Sequence, residues 1–151
     1  RQIIYLDATV PENGQAATGA FAGGTADVLA QLSQGTDWLL PPLPLPAVGV
    51  DSPEDVAWMT PRRGSHPMAT LHEPVVLGNE TARKLPRAYI RCSQRQGLVG
   101  VFGVDPLQPF YDKAVAAGWP VRDIDSGHDA MVVAPEAVAR CLVELSTLVG
   151  V

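Results

Sequence analysis

The chain has 151 residues, of which 46% are hydrophobic and 18% are charged, and its formal net charge at pH 7 is −5. This composition is typical of a globular domain with a real core and excludes a disordered chain. The acidic balance argues against nucleic acid or an anionic membrane as a partner, and no apolar run approaches the roughly 20 residues of a membrane span.

The first element is a short apolar run, Ile3-Ile4-Tyr5-Leu6, which ends at Asp7. Continuous rather than alternating apolar residues predict a strand that is covered on both faces of a parallel sheet. The chain opens at Arg1, without a methionine, only two residues before this strand. We therefore expect that residues precede it in the natural protein.

The next block, residues 15–73, is too long for a simple crossover between two strands. It contains a helix that begins near Thr25, an irregular proline-rich segment at 38–50, and a helix opened by Ser52-Pro53-Glu54-Asp55. Long insertions are usually functional lids, so we expect a mostly helical lid over the functional site. The alternative is a structural excursion that packs its tryptophans onto the sheet.

The rest of the chain alternates between strands and helices. We predict strands at 88–92 and 121–124 and helices at 110–118 and 134–149, the last with apolar residues at the 3.6-residue period. Strands that alternate with helices indicate a parallel sheet with right-handed crossovers. The predicted fold class is therefore α/β.

A histidine, His128, lies between the last strand and the last helix in the string Asp125-Ser126-Gly127-His128-Asp129-Ala130-Met131. This edge of a parallel sheet is where ligands and catalytic groups collect. An isolated histidine would more simply be a surface loop residue. The combination of a strand, G-H-D-x-M and a proline-initiated helix, however, resembles the catalytic-histidine segment of α/β-hydrolases. It is most similar to bacterial relatives of the plant methyl esterases and hydroxynitrile lyases.

A second string, Tyr5-Leu6-Asp7-Ala8-Thr9-Val10-Pro11-Glu12-Asn13-Gly14, resembles the hydrolase segment that follows the nucleophile helix. The resemblance implies the C-terminal part of an α/β-hydrolase fold. Residues 1–14 and 74–151 would form the core, and residues 15–73 would form a helical cap.

The resemblance gives His128 the role of general base and requires an acid to orient it. The family commonly places that acid just after the strand at 88–92, where this chain has Ser93-Gln94-Arg95-Gln96 and no carboxylate. Asp7, at the end of the first strand, is our first choice, and we expect its side chain to lie near His128. The alternative role for Asp7 is to cap the following turn. Asp105 is the second choice for the acid.

No G-x-S-x-G nucleophile motif occurs in the chain, and Ser65 and Ser126 lack the strand–elbow–helix setting of a nucleophile. The resemblance therefore implies that an N-terminal half of the hydrolase, in a separate chain or an upstream segment, supplies the serine and the oxyanion hole. The expected reaction is hydrolysis of a small ester or acyl substrate. A noncatalytic binding module and a hydroxynitrile-lyase-like lyase remain the alternatives.

Several apolar side chains are candidates for a pocket that binds an acyl or aromatic group, or equally for the core of the cap. They are Trp38, Leu39, Trp58, Met68 and Met131. We expect no metal or organic cofactor. His66 and His72 lie close in sequence, with Glu73 next to His72, but prolines interrupt their spacing and no further ligand is evident.

Two cysteines, Cys92 and Cys141, match neither a zinc pattern nor a disulfide framework. They are best interpreted as buried thiols in a reducing cytoplasm, and a disulfide has no support in the sequence. The chain also lacks a charged start followed by an apolar stretch. We therefore expect a cytoplasmic protein.

Overall fold

Residues 1–148 are described by a computed structural model. Within this range the strands are β1 (Ile3–Leu6), β2 (Leu39–Leu40), β3 (His66–Pro67), β4 (Arg87–Cys92) and β5 (Val121–Ile124). The helices are α1 (Thr25–Leu32), α2 (Pro53–Met59), α3 (Ala69–His72), α4 (Glu80–Arg83), α5 (Gln96–Phe102), α6 (Gln108–Ala116), α7 (Ala130–Val133) and α8 (Pro135–Leu148). Short 3₁₀ helices span Ala17–Gly19, Leu45–Val48 and Thr60–Arg62.

Three strands form a parallel sheet in the order β1-β4-β5, so the predicted α/β architecture is confirmed. Tyr5 of β1 lies opposite Tyr89 of β4, and Cys92 of β4 lies opposite Ile124 of β5. Helices α5 and α6 make the connection from β4 to β5. Because the strands are parallel, their carboxyl ends meet at one edge of the sheet.

The central strand β4 separates two apolar clusters. Ala88, Ile90 and Cys92 belong to a cluster with Leu145 of α8, whereas Tyr89 belongs to the cluster on the other face. This alternation follows the two-residue period of a strand. Both faces of β4 are therefore covered by apolar side chains.

The first strand is less buried than the sequence predicted. All four residues of β1 are partly exposed. Within residues 1–148, β1 pairs with β4 on one side, and no strand pairs with its other side. Its outer backbone groups therefore form an open sheet edge.

The block at residues 15–73 combines helices with extended segments and is less helical than we expected. β2 and β3 form a small antiparallel pair within it. Leu29, Val50 and Met68 from this block share a buried cluster with Tyr89 of the sheet. The division of the chain at residues 14 and 73 stays a prediction.

The helix that the sequence predicted from 134 to 149 corresponds to α8, and the structure adds a short helix, α7, directly before it. α7 ends at Val133, Ala134 adopts φ −141° and ψ 48°, and α8 begins at Pro135. Proline is favourable there because the first helical residue needs no N–H partner. Residue 149 lies outside the described residues.

No helix within residues 1–148 is long and apolar enough to span a membrane.

The two cysteines are free, with Cys92 buried and Cys141 partly buried. Burial, with a smaller contribution from the charge of Asp7, raises the pKa of the Cys92 thiol to about 12. Only a thiolate is nucleophilic, so Cys92 should be unreactive in the folded protein.

We expect iodoacetamide at pH 8 to alkylate Cys141 in the native protein and Cys92 only after unfolding in guanidinium. Peptide mapping by mass spectrometry measures both sites in one sample. The Cys141→Ser variant is the control, since it removes the accessible thiol and leaves Cys92. Alkylation of native Cys92 at the rate seen in the unfolded chain would contradict the expectation.

Candidate active site

A histidine and a carboxylate meet at the carboxyl edge of the parallel sheet. Asp7 directly follows β1, and His128 lies on the loop after β5. Nδ1 of His128 is 2.7 Å from Oδ2 of Asp7, as the parallel strand ends led us to expect. An ionised carboxylate can only accept a hydrogen bond, so Nδ1 carries the proton. In a neutral imidazole, Nε2 is then free to act as a base.

The Asp7 carboxylate is almost fully buried and has several donors around it. Besides His128, Nη1 of Arg95 donates to Oδ2 at 2.7 Å, and the Cys92 N–H donates to Oδ1 at 3.3 Å. Burial by itself raises the pKa of Asp7. The hydrogen bond from His128 and the charge and hydrogen bond of Arg95 outweigh burial, so the pKa of Asp7 is lowered from its ordinary value. Asp7 is therefore ionised at neutral pH.

Asp105, the second candidate for the acid, has a different partner. Its Oδ2 accepts from Nε of Arg95 at 2.9 Å, and its Oδ1 accepts from Nη2 of Arg95 at 2.7 Å. The Leu107 N–H also donates to Oδ1, at 3.0 Å. Of the two candidates, Asp7 is the one that contacts His128. The Asp7 carboxylate accepts hydrogen bonds from His128, Arg95 and Cys92. A cap would instead accept from the backbone N–H groups of the turn that follows Asp7.

The sequence did not predict the place of Arg95 in this site. Arg95 is buried and joins Asp7 to Asp105, and its Nη1 also donates to the Cys92 carbonyl at 3.0 Å. The one available signal was its position after β4, where the resemblance led us to expect an aspartate. A basic residue at the expected position of an acid indicates that the acid comes from elsewhere.

The loop that carries His128 is held by backbone contacts with the segment after residue 44. The Asp129 N–H donates to the Val48 carbonyl at 3.0 Å. Gly127 lies so close to Gly49 that a Cβ built on either residue would lie 2.5 Å from the other's Cα. The Ser126 hydroxyl is buried and donates to the Gly127 carbonyl, a structural role. His128 itself is about one-third exposed at the side chain.

A cavity of about 430 Å³ lies beside Asp7 and His128. This volume is within the usual range for small-molecule sites. Side chains from the block at 15–73 form one part of its wall, namely Phe21, Leu29, Leu40, Leu43 and Leu71. Leu98, Phe102, Leu107 and Met131 form much of the rest. The arrangement places a candidate base at an apolar binding space.

Met131 lines this cavity, but the four other candidate pocket residues do not. Trp38 is 70% exposed and stands edge-on to His72, and Trp58 is 52% exposed beneath the guanidinium of Arg62. The expectation that these tryptophans pack on the sheet or the pocket is therefore wrong.

Leu39 and Met68 also lie outside the cavity wall, and Met68 instead takes the alternative place in an apolar core. Leu39 is 41% exposed, while its neighbour Leu40 lines the cavity, since adjacent residues of a strand point to opposite sides. Met68 is completely buried in the apolar cluster that includes Tyr89. It stabilises the core instead of lining the cavity.

The remaining histidines bond separate threonines. His66 contacts the Thr70 hydroxyl, and Nδ1 of His72 lies 3.4 Å from the Thr18 hydroxyl. Within residues 1–148, no group of three side chains is arranged to hold a metal ion. Asp129 occupies the position before α7, but its side chain makes no capping bond there.

The chain was compared with protein families, curated proteins and solved structures. No protein-family model and no curated protein matches it. An extracellular alpha/beta-hydrolase from a Paenibacillus species superposes on 95% of this chain with a TM-score of 0.68 and 17% sequence identity. The fold is that of an α/β-hydrolase. The chain spans 61% of the Paenibacillus protein, so it represents part of that fold.

The Paenibacillus hydrolase is described as sharing structural and functional homology with tobacco salicylic acid binding protein 2. That description concerns the Paenibacillus protein. At 17% identity, the likeness to this chain concerns the fold alone.

Proposed function

We propose that this chain carries the histidine and the acid of a carboxylic ester hydrolase that uses a Ser-His-Asp triad. His128 is the general base and Asp7 is the acid. The observation that carries the proposal is the bond of 2.7 Å between Nδ1 of His128 and Oδ2 of Asp7, beside an apolar cavity. A base whose second nitrogen is held by a buried carboxylate is the arrangement that activates a hydroxyl nucleophile.

In this mechanism a serine hydroxyl attacks the ester carbonyl while Nε2 of His128 takes the hydroxyl proton. The tetrahedral intermediate collapses, and the same proton passes to the departing alcohol. Water then attacks the acyl-serine, again through His128, and releases the carboxylic acid. Asp7 keeps the proton on Nδ1 and stabilises the imidazolium that forms at each step. The reaction needs no metal or organic cofactor.

The serine and the oxyanion hole are proposed to come from an N-terminal half of the hydrolase, in a separate chain or an upstream segment. Within residues 1–148, the side chains that line the cavity include no serine. The outer edge of β1 is open and can pair with a further strand, whose end would bring a nucleophile to the Asp7 edge. The serine oxygen should then lie about 3 Å from Nε2 of His128.

The substrate we propose is a small ester with an apolar acyl or aromatic group. Two features support this class, the cavity volume of about 430 Å³ and a wall made largely of leucine and phenylalanine. Because residues 15–73 form one part of that wall, we propose that they act as the cap over the site. The two free thiols support a reducing cytoplasm as the compartment.

A noncatalytic binding module is the second candidate. The absence of a serine among the described side chains of the cavity favours it, because a binding pocket needs no nucleophile. A lyase that cleaves cyanohydrins is the third candidate, and it would use the same fold and the same histidine. Two measurements distinguish the three candidates: covalent labelling of a serine by a serine-reactive reagent, and the product that the protein releases from an ester or a cyanohydrin.

The test uses the full protein that contains this chain, treated with a biotinylated fluorophosphonate and assayed with p-nitrophenyl esters of increasing acyl length. We expect one labelled serine, located by peptide mapping outside the 151 residues, and loss of labelling in the His128→Ala variant. His72→Ala is the matched control, since His72 is an exposed histidine outside the cavity wall.

Three other outcomes would contradict this proposal. A labelled serine within the 151 residues would remove the need for an external nucleophile. A folded protein that neither labels nor hydrolyses any ester would favour the binding module. Faster release of cyanide from a cyanohydrin than of nitrophenol from the esters would favour the lyase.

A further inference from the structure

We infer that Arg95, held by Asp105, is a positioning residue that fixes the Asp7 carboxylate against His128. The inference rests on the proposed function for its catalytic meaning, but its structural content can be tested without turnover. Arg95 takes the position where the resemblance expects the acid. Here it would support an acid that comes from the neighbouring strand instead.

The guanidinium is oriented by Asp105 and not by Asp7. Two parallel N–H donors of Arg95, Nε and Nη2, meet the two oxygens of Asp105 at 2.9 and 2.7 Å. Such a bidentate pair fixes the plane of the guanidinium. The Leu107 N–H holds the Asp105 carboxylate from the other side. Nη1 is then the remaining donor group, and it is directed at Asp7 and the Cys92 carbonyl.

At Asp7, Arg95 and His128 share one oxygen. Both Nη1 of Arg95 and Nδ1 of His128 lie 2.7 Å from Oδ2. The rotation of the carboxylate is thus limited by a fixed donor on Oδ2 and by the Cys92 N–H on Oδ1. With two contacts on fixed groups, the carboxylate presents a defined lone pair to the imidazole. His128, on a loop, does not have to impose that geometry itself.

The backbone of Asp7 is a second reason why support is needed. Asp7 has φ +42°, in the left-handed region that L-residues adopt only when surrounding contacts enforce it. Asp7 is also 2% exposed, so its charge requires a partner inside the protein. Arg95 meets both requirements at once, because it donates to the carboxylate and balances its charge.

Asp7, Arg95 and Asp105 form a clamp whose charges are balanced without His128. Asp7 and Asp105 supply two negative charges, and Arg95 supplies one positive charge in contact with both. Arg91 supplies the second, with Nη2 3.7 Å from Oδ2 of Asp105. His128 is therefore not required as a permanent counterion for the buried carboxylates. A neutral imidazole is the form that a general base needs.

The structural test is proton NMR of the full protein, observing the low-field signal of the His128 Nδ1–H, assigned by its loss in His128→Gln. A fixed bond to Asp7 should protect this proton from exchange in the wild-type protein. We expect the signal to disappear in Arg95→Gln and to persist in Arg122→Gln. Arg122 is a matched control, because it loses an ion pair with Glu144 on the protein surface.

Removal of Arg95 leaves two acids without their arginine partner, so Arg95→Gln is expected to destabilise the protein. The double variant Arg95→Gln with Asp105→Asn removes one charge of each sign and leaves one acid without Arg95 instead of two, so it should fold and still lose the signal. A folded variant of either kind that keeps the signal unchanged would overturn the inference. This outcome is independent of ester hydrolysis, so a failure of the proposed function would be recognised separately.

The kinetic test is a double-mutant cycle between Arg95→Gln and Asp7→Asn on ester hydrolysis. A misplaced acid should lower kcat by about 10²-fold with little change in KM. If Arg95 acts through Asp7, its replacement should cause no further loss of kcat in the Asp7→Asn background. Independent, multiplicative losses would mean that Arg95 supports the structure generally and would overturn the positioning role.

Discussion

Replacement of Asp7 by asparagine is expected to lower kcat for ester hydrolysis by about 10⁴-fold, the loss that the same change of the triad acid causes in a serine protease. Three donors meet the two oxygens of Asp7, from His128, Arg95 and the Cys92 N–H. An amide offers one oxygen and one NH₂ group. Whichever way it turns, the NH₂ group faces a donor. When NH₂ takes the Oδ2 position, His128 moves its proton to Nε2, and in either orientation the negative charge that stabilises the imidazolium is lost.

The measurement is steady-state kinetics on a p-nitrophenyl ester, with circular dichroism to establish folding. Asp123→Asn is the matched control, since Asp123 is an exposed aspartate on β5. It should retain wild-type kcat and KM. If Asp7→Asn folds and stays within tenfold of the wild-type kcat, the acid lies elsewhere, and Asp105→Asn becomes the variant to measure.

The strands of the sheet could be predicted from short runs of β-forming residues, which are continuously apolar in β1 and combine apolar with charged residues in β4 and β5. The parallel arrangement followed from the alternation of strands and helices. Parallel strands in one sheet place their carboxyl ends at one edge, so the proximity of Asp7 and His128 was a topological consequence. It could be deduced although the two residues are separated by 121 positions.

The wall of the cavity could not be predicted in the same way. β2 contains two residues, which leaves no periodicity from which to decide whether Leu39 or Leu40 points inward. Trp38 has φ +62°, and a turn of this kind directs the chain in a way that apolarity does not reveal. Large apolar side chains are common on protein surfaces, so the size of Trp38 and Trp58 was a poor guide to the pocket.

The clamp at Asp7 illustrates a different limit. Arg95 lies 88 positions from Asp7 and 10 from Asp105, and no spacing rule connects the three. Their contact depends on the packing of β1 beside β4 and on the path of the chain after α5. The sequence showed an arginine where the motif has an acid. That this arginine contacts both Asp7 and Asp105 could be seen only in the three-dimensional structure.

Replacement of Gly127 by alanine is expected to lower the free energy of unfolding by about 1–3 kcal/mol, the usual cost of overpacking, and to displace His128. The added Cβ would lie 2.5 Å from the Cα of Gly49 and 2.8 Å from the Val48 carbonyl oxygen. These neighbours are backbone atoms and cannot rotate away. A shift of about 1 Å in the His128 loop would lower kcat by about 10²-fold.

Thermal unfolding and ester kinetics measure the two effects on the same sample of Gly127→Ala. Gly100→Ala is the matched control, because Gly100 lies inside α5 with no atom near its added Cβ. Alanine there should stabilise the protein by about 0.5–1 kcal/mol through its higher helix propensity. Gly127→Ala and Gly100→Ala both replace a glycine by alanine, but only Gly127→Ala crowds a second backbone. A difference between the two variants therefore measures that crowding. A Gly127→Ala protein with wild-type stability and kcat would mean that the contact between residues 49 and 127 does not hold the loop that carries His128.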